Sequence, residues 1–415
     1  MTTTHPVHRA GSVAGIEIEY ALVRRHSGDA AARAADLLAQ LAGSRRTVNE
    51  VQLGPVVVCN ELAGHVVELK TVEPWADLID CEKALQEAMG RMHTAAADLG
   101  LQLVPGGMHP WFDPRRETVL WTHGQAEIYR VFDELFDCRR HGWSNVQSVQ
   151  LNLPYGDDEE FMRVHDAARV LLPLIPALCA SSPFRGGHAS GFESTRLYEY
   201  AGHCAAVPEL IGDIVPEHVI SPEGYERTVL RRIARSMRAA GAPEWMQPEW
   251  CNARGAIPRL HRHAIEIRLC DAQECVHADL AVCSLIRAVV QALVEERWCT
   301  HAQQAHLTGP SLRDTFHAVL ADGEAAVTHA GLRRVLGWTG QPVGARRLWL
   351  HLHRLVREQG LIQDHWNDHL AIIWQQGTCA QRQLDYYALQ QDPARLRAIV
   401  ARLADCLREN RPFLP

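Results

Sequence analysis

Residues 15–20, Gly-Ile-Glu-Ile-Glu-Tyr, alternate two glutamates with two isoleucines. In a β-strand successive side chains point to opposite faces, so Glu17 and Glu19 share one face and Ile16 and Ile18 the other. Two carboxylates side by side repel, and burying them without partners is costly. Oxygen-only pairs of this kind suit a hard divalent cation such as Mg²⁺ or Mn²⁺. Three further segments repeat the design. In 66–70, Glu68 faces away from Val67 and Leu69. In 148–153, Ser148, Gln150 and Asn152 share one face and Val149, Leu151 and Leu153 the other. In 264–269, Glu266 and Arg268 stand together. Glu61 lies one short turn before Glu68 and can add a carboxylate to the same cluster, against the alternative of a solvated turn glutamate. A solvated sheet face would intersperse Lys, Thr and Glu, whereas this one carries Glu, Gln, Asn and Arg. An acidic face needs cations. The four segments therefore read as a curved sheet whose polar side lines a funnel for metal and nucleotide.

Helices must back that sheet. Helical spacing of apolar residues predicts helices over 30–41, 76–99, 158–180 (interrupted by Pro173 and Pro176), 277–297, 345–359 and 393–409. From about residue 311 the pattern is almost wholly helical. Residues 15–275 are expected to carry the sheet, and 276–415 to form a mostly helical part of the same single catalytic domain, 1–415.

The chain has 415 residues, 47% hydrophobic and 22% charged, with a net charge of −7. This is ordinary globular composition and does not point to nucleic acid. Residues 1–6 hold no apolar run, so no signal peptide is expected. The longest apolar stretch, expected near 170–180, contains prolines and is too short to span a bilayer, so no membrane association is expected. None of the 12 cysteines forms a Cys-x-x-Cys pair, and most sit in apolar helical contexts. They read as core residues of a cytoplasmic protein rather than as disulfides or a zinc site. His261 and His263 lack the spacing of a metal-binding helix. No Walker A sequence, no Gly-x-Gly-x-x-Gly opening a helix and no Gly-x-Ser-x-Gly elbow is present, which disfavours P-loop, Rossmann and nucleophile-elbow enzymes. Two loops place arginine among small or polar residues: Arg196 after Ser194-Thr195, and Arg254 after Asn252-Ala253. Both suit a carboxylate or phosphate. Gly106-Gly107-Met108-His109-Pro110 permits close backbone approach followed by an extended His-Pro step.

Taken together, these segments resemble the carboxylate–amine ligase family that includes glutamate–cysteine ligases, in particular the second bacterial type. The resemblance is carried by Gly15–Tyr20, by Glu61 with Glu68-Leu69-Lys70-Thr71, and by Gly107-Met108-His109-Pro110. It continues through Gln150-Leu151-Asn152, Ala180-Ser181-Ser182-Pro183-Phe184 with Gly191 and Arg196, and 265–271, and closes at 377–383. It implies an α+β, glutamine-synthetase-like fold, a curved antiparallel sheet forming a funnel surrounded by helices. It further implies ATP with Mg²⁺ (or Mn²⁺), and phosphorylation of a carboxylate followed by amine attack to give an amide. Carried over by position, Glu17, Glu19, Glu61, Glu68 and Glu266 would be metal ligands. Arg268, with Glu68, would serve catalysis at the transferring phosphoryl group. Arg196, Arg254, Gln150, Asn152 and His109 would contact substrates. Many relatives have histidine where this chain has Gln150, which weakens one metal contact. The implied partners are a small carboxylate, glutamate or a related acid, and an amine or amino acid; a homodimer is left open. Two other readings remain: a guanidino-kinase-like phosphotransferase, and a catalytically degraded binding or regulatory homologue.

Overall fold

The structure, a computed structural model, describes residues 6–415. Residues 1–5, on which most of the expectation about a signal peptide rests, lie outside the described residues. Twelve strands occur among the described residues: β1 (Gly15–Arg24), β2 (Glu50–Leu53), β3 (Val56–Asn60), β4 (Val66–Thr71), β5 (Leu101–Val104), β6 (Ser148–Pro154), β7 (Phe184–Arg185), β8 (His188–Ala189), β9 (Ala256–Arg259), β10 (Ala264–Asp271), β11 (Ala326–Val327) and β12 (Val343–Gly344). Eight of them form one sheet in the order β2-β3-β4-β1-β6-β10-β9, with β5 paired to the far end of β1. All its pairings are antiparallel. The remaining four make two short hairpins.

Register brings the alternating segments into line. Glu19 pairs with Glu68 and Glu17 with Lys70 on one side of β1; on the other side Glu17 pairs with Gln150 and Gly15 with Asn152. Glu266 on β10 then lies opposite Asn152. The polar faces of four strands thus form one surface. Their apolar faces, including Ile16, Ile18, Leu69, Val149, Leu151, Ile265 and Ile267, are fully buried on the back. Tyr20 is the polar exception there, and its hydroxyl donates to the Asp279 carboxylate at 2.8 Å.

Between Ile267 and Cys270 the register with β6 shifts: Arg268 and Leu269 together oppose the single residue Gln150. Such a bulge inverts strand parity beyond it. Asp271, which strict alternation would send to the back, pairs with Ser148 on the same face as Gln150.

Helix Val276–Val294 is long and apolar enough to cross a membrane by length and composition, which the sequence reading did not single out; here 83% of its most apolar window is buried inside the protein. It packs on β6 and on helices Leu78–Asp98 and Asp158–Leu171. Both of these start on an aspartate cap, Asp77 and Asp157, whose side chains accept backbone N–H groups. The predicted 158–180 helix divides into Asp158–Leu171, a 3-10 turn at Leu172–Leu174 and Ile175–Cys179, because Pro173 and Pro176 supply no N–H. The predicted 30–41 helix begins only at Ala34, since Ala30 bridges Val23 and the Ala31 N–H bonds to Leu22. One apolar cluster runs from Ala14 on the sheet to Leu407 near the C-terminus.

Candidate active site

The concave face of the sheet opens into a cavity with about 1500 Å³ of empty volume. Its walls include Glu17, Glu19, Glu61, Glu68, Lys70 and Arg268. Carboxylate oxygens of Glu19, Glu61 and Glu68 lie within 4.8 Å of one another. Glu19 and Glu68 come from paired strands, and Glu61 from the turn that leads β3 into β4.

The three are held but not neutralised. Glu19 accepts the Ser148 N–H at 2.7 Å and the Gln150 amide N–H at 3.1 Å. Glu61 accepts the Leu62 N–H at 3.3 Å. Glu68 accepts the Cys59 thiol at 3.0 Å, and Lys70 Nζ stands 3.6 Å away. Burial first, and the Glu68 charge second, push the Glu19 carboxyl up to about 7. The same two causes, joined by Glu19, push Glu61 well above the usual carboxylate range. Lys70, with Arg196 and Arg268 farther off, lessens this rise without cancelling it, so buried Glu19 and Glu68 with half-buried Glu61 remain short of positive charge. A hard divalent cation answers that deficit with the donor chemistry these oxygens offer, so the cluster fits Mg²⁺ or Mn²⁺.

Glu17 and Glu266, expected in the same ligand set, are not brought into this triad. Glu17 accepts the Asn152 amide at 3.1 Å, with Arg262 3.7 Å away. Burial, then the Glu68 and Glu266 charges, raise its carboxyl to about 8. Glu266 already has cations: Arg259 approaches both its oxygens, at 2.5 and 3.1 Å, and Arg268 Nε lies 3.4 Å away. Burial opposes its charge, but Arg259 and Arg268 prevail and hold its carboxyl below the ordinary value. Gln150 donates to Glu19 and orients it.

A second cavity, with about 930 Å³ of empty volume, shares Glu19, Glu61, Gln150 and Arg268 and adds Arg196 and Trp143. Arg196 Nε donates to Asp271 at 2.7 Å, while its buried Nη2 has no partner. Asp271 is itself fixed by the Ser181 N–H at 2.9 Å and by the hydroxyls of Ser182 and Ser194 at 2.7 and 3.0 Å. Gly107 makes this possible: a Cβ there would come within 2.6 Å of Asp271 Cγ.

Two expected substrate contacts are placed elsewhere. Arg254 is spent on Glu217, at 2.7 and 2.8 Å, and on the carbonyls of Glu209 and Leu210. It lies buried outside both cavities. His109 is buried against Gly28, whose carbonyl meets Nε2 at 2.8 Å, and its ring packs on Trp111. Sequence reasoning gave no role to Asp271, Arg259, Arg262 or Cys59. Cys59 had a signal, since it alternates on β3 directly opposite Glu68. The arginines had none, because they come from β9 and the turn after it.

The strand-lined cleft, with its carboxylate triad and facing arginines, sits on an α+β fold of the glutamine-synthetase-like class. The likeness of fold is to the glutamate–cysteine ligase of Francisella tularensis in complex with AMP (TM-score 0.58, 12% identity, 97% of this chain and 90% of that one). A second likeness is to the bifunctional glutathione synthetase of Pasteurella multocida (TM-score 0.51, 12% identity, 96% and 52%). Within that class, residues 13–401 match the model of glutamate–cysteine ligase family 2 (GCS2), and the chain belongs to this family. Among its relatives, an uncharacterized protein of Archaeoglobus fulgidus is 38% identical over 261 residues, 63% of this chain and 69% of its own length. A Pseudomonas paraeruginosa protein named "Putative glutamate--cysteine ligase 2" is 30% identical over 350 residues, 82% and 83% of the two chains.

Proposed function

We propose that this protein is an ATP-dependent ligase that joins a carboxylic acid, glutamate or a related acid, to an amine or amino acid. The γ-phosphoryl group of ATP passes to a carboxylate oxygen, releasing ADP. The amine then attacks the acyl carbon, phosphate leaves with the C–O bonding pair, and an amide forms. The observation that carries this reading is the under-neutralised triad of buried Glu19 and Glu68 with half-buried Glu61, beside Arg268. Those three carboxylates would hold Mg²⁺ or Mn²⁺, with Glu17 one step along the same face of β1. When bound, the cation supplies charge neutralisation to the phosphates.

The chain's own residues do the positioning. Arg268 is fixed by Glu266 and by the Asn252 carbonyl at 3.2 Å, and borders both cavities, so it is set to meet the charge of the transferring phosphoryl group. Arg196, steadied through Nε by Asp271, keeps Nη2 for a substrate carboxylate. Asn152 holds Glu17 and Gln150 holds Glu19. No side-chain nucleophile is required. The apolar cluster shared by sheet and C-terminal helices supports one catalytic unit over residues 1–415. Twelve buried, unpaired cysteines support a reducing, cytoplasmic setting.

The test is to incubate the protein with ATP, Mg²⁺, hydroxylamine and a panel of acids beginning with glutamate. Hydroxamate formation, lost in Glu68→Gln, is the expected result. ATP turnover that yields a phosphorylated guanidine and no hydroxamate would favour the phosphotransferase. No turnover with any acid or amine would favour a binding module.

A further inference from the structure

Behind the sheet, away from the cleft, Glu82, His277 and His365 converge from three elements. Glu82 lies on helix Leu78–Asp98, His277 in the first turn of helix Val276–Val294, and His365 in the 3-10 turn Asp364–Trp366. One donor atom from each lies within 4.8 Å of the other two. His277 Nδ1 is 3.1 Å from Glu82 Oε1, and His365 Nε2 is 2.8 Å from Oε2. Gln86 and Asn410 both donate to Oε1, at 2.8 and 2.9 Å, and Asn410 also accepts the His277 N–H at 3.0 Å. These bonds fix the carboxylate and the start of the helix, and leave Oε2 to His365.

The cluster differs from another histidine–carboxylate group among the described residues. Asp166 also meets two histidines, His218 and His301, but Arg169 sits on it at 2.8 Å and supplies permanent positive charge. Both ion pairs of Glu82 are with histidine. A third imidazole, buried His369, meets His277 edge-on at 6.1 Å between ring centroids and has neither ring nitrogen hydrogen-bonded.

We propose that Glu82, His277 and His365 form a binding site for a zinc-class transition metal ion, separate from the carboxylate triad. Two imidazole nitrogens and one carboxylate oxygen are the donors such ions favour over Mg²⁺. Bonds of about 2.1 Å in a tetrahedron put neighbouring donors about 3.4 Å apart; the spacings found, 3.1 and 2.8 Å, are shorter, and a small outward shift of the imidazoles would open the site to an ion. The fourth position faces solvent, since the His365 side chain is 38% exposed, and an ion can enter there. The site is a clamp. It fastens the start of the helix that follows β10 and Asp271 to the helix Leu78–Asp98 and to the C-terminal helices.

Equilibrium dialysis of the EDTA-stripped full-length protein against Co²⁺, with excess Mg²⁺ to occupy the cleft, tests the site. The expected result is one Co²⁺ per chain, with the intense visible band of low-coordinate cobalt, displaced by Zn²⁺. Saturating Zn²⁺ should raise Tm by about 3 °C or more. His365→Ala, a change on a half-exposed turn, and Glu82→Gln should each lose the band, while Glu68→Gln keeps it. No bound Co²⁺, or a band that survives in both variants, overturns the proposal. So does a band abolished by Glu68→Gln, which would place the ion in the cleft.

Discussion

Glu19 and Glu68 stand directly opposite one another on paired antiparallel strands, and both carboxylates turn into the same cleft. Like charges in that relation destabilise a sheet by up to about 1 kcal/mol per pair. The fold accepts this cost at its centre, where an apolar pair would pack better.

Glu68→Gln therefore separates stability from function. In EDTA the variant should unfold at an equal or higher urea concentration than the parent, by up to about 1 kcal/mol. Its Mg²⁺-dependent ADP release should fall by about 100-fold or more. Urea titration and a coupled ADP assay on the same preparation check both. Parallel losses of stability and turnover would mark Glu68 as a structural residue.

The metal-free protein should lose stability as pH rises. The Glu19 and Glu17 carboxyls are raised to about 7 and about 8 in the folded state, whereas the unfolded chain titrates them near 4.3. Between those limits the folded state binds more protons, so unfolding free energy declines with pH. The contribution is full below about pH 4.3 and gone above about pH 8. Saturating Mg²⁺ should flatten this slope at its upper end by binding the deprotonated carboxylates. Thermal melts from pH 5 to 9, with and without Mg²⁺, measure it.

Gly107→Ala should act on substrate affinity through Asp271. The added methyl would meet Asp271 Cγ at 2.6 Å and dislodge the carboxylate that steadies Arg196. KM for the acid substrate should rise about tenfold or more while KM for ATP changes little. Initial-rate kinetics with each substrate varied in turn decide it.

Arg196 and Arg254 should separate by assay. Arg254→Met leaves the Glu209 carbonyl, the buried Leu210 carbonyl and half-exposed Glu217 without this partner and should cost about 1–3 kcal/mol of stability, with KM values of the folded protein unchanged. Arg196→Met should instead raise KM for the acid substrate strongly, since the unpartnered Nη2 is lost. Denaturant midpoints and steady-state kinetics of the two variants give the contrast.

The polar strand faces were legible because polar and apolar residues alternate along residues 15–20, 66–70 and 148–153, and each back is apolar apart from the Tyr20 hydroxyl. Alternation fails at the bulge in β10, which is why Asp271 was not assigned to the cleft: parity alone sends it to the core. Arg196 and Arg254 look alike in sequence, each in a short polar loop. Only the folded chain brings Glu217 to one and Asp271 to the other. Glu266 read as a bare carboxylate because Arg259 reaches it across the β9–β10 pairing, a register that no local pattern announces.

The position of β1 bears on how the chain is made. β1, the earliest of the described strands along the chain, lies between β4 and β6 in the finished sheet. At translation rates of 5–20 residues per second, about 10–50 s separate its emergence from that of β10. Through that interval the apolar side of β1, Ile16, Ile18 and Tyr20, lacks the helix Val276–Val294 that later covers the sheet, although β4 and β5 are already there to pair. The nascent chain thus carries this apolar face uncovered, and its cleft is completed only when β10 arrives, about two-thirds of the way along the chain.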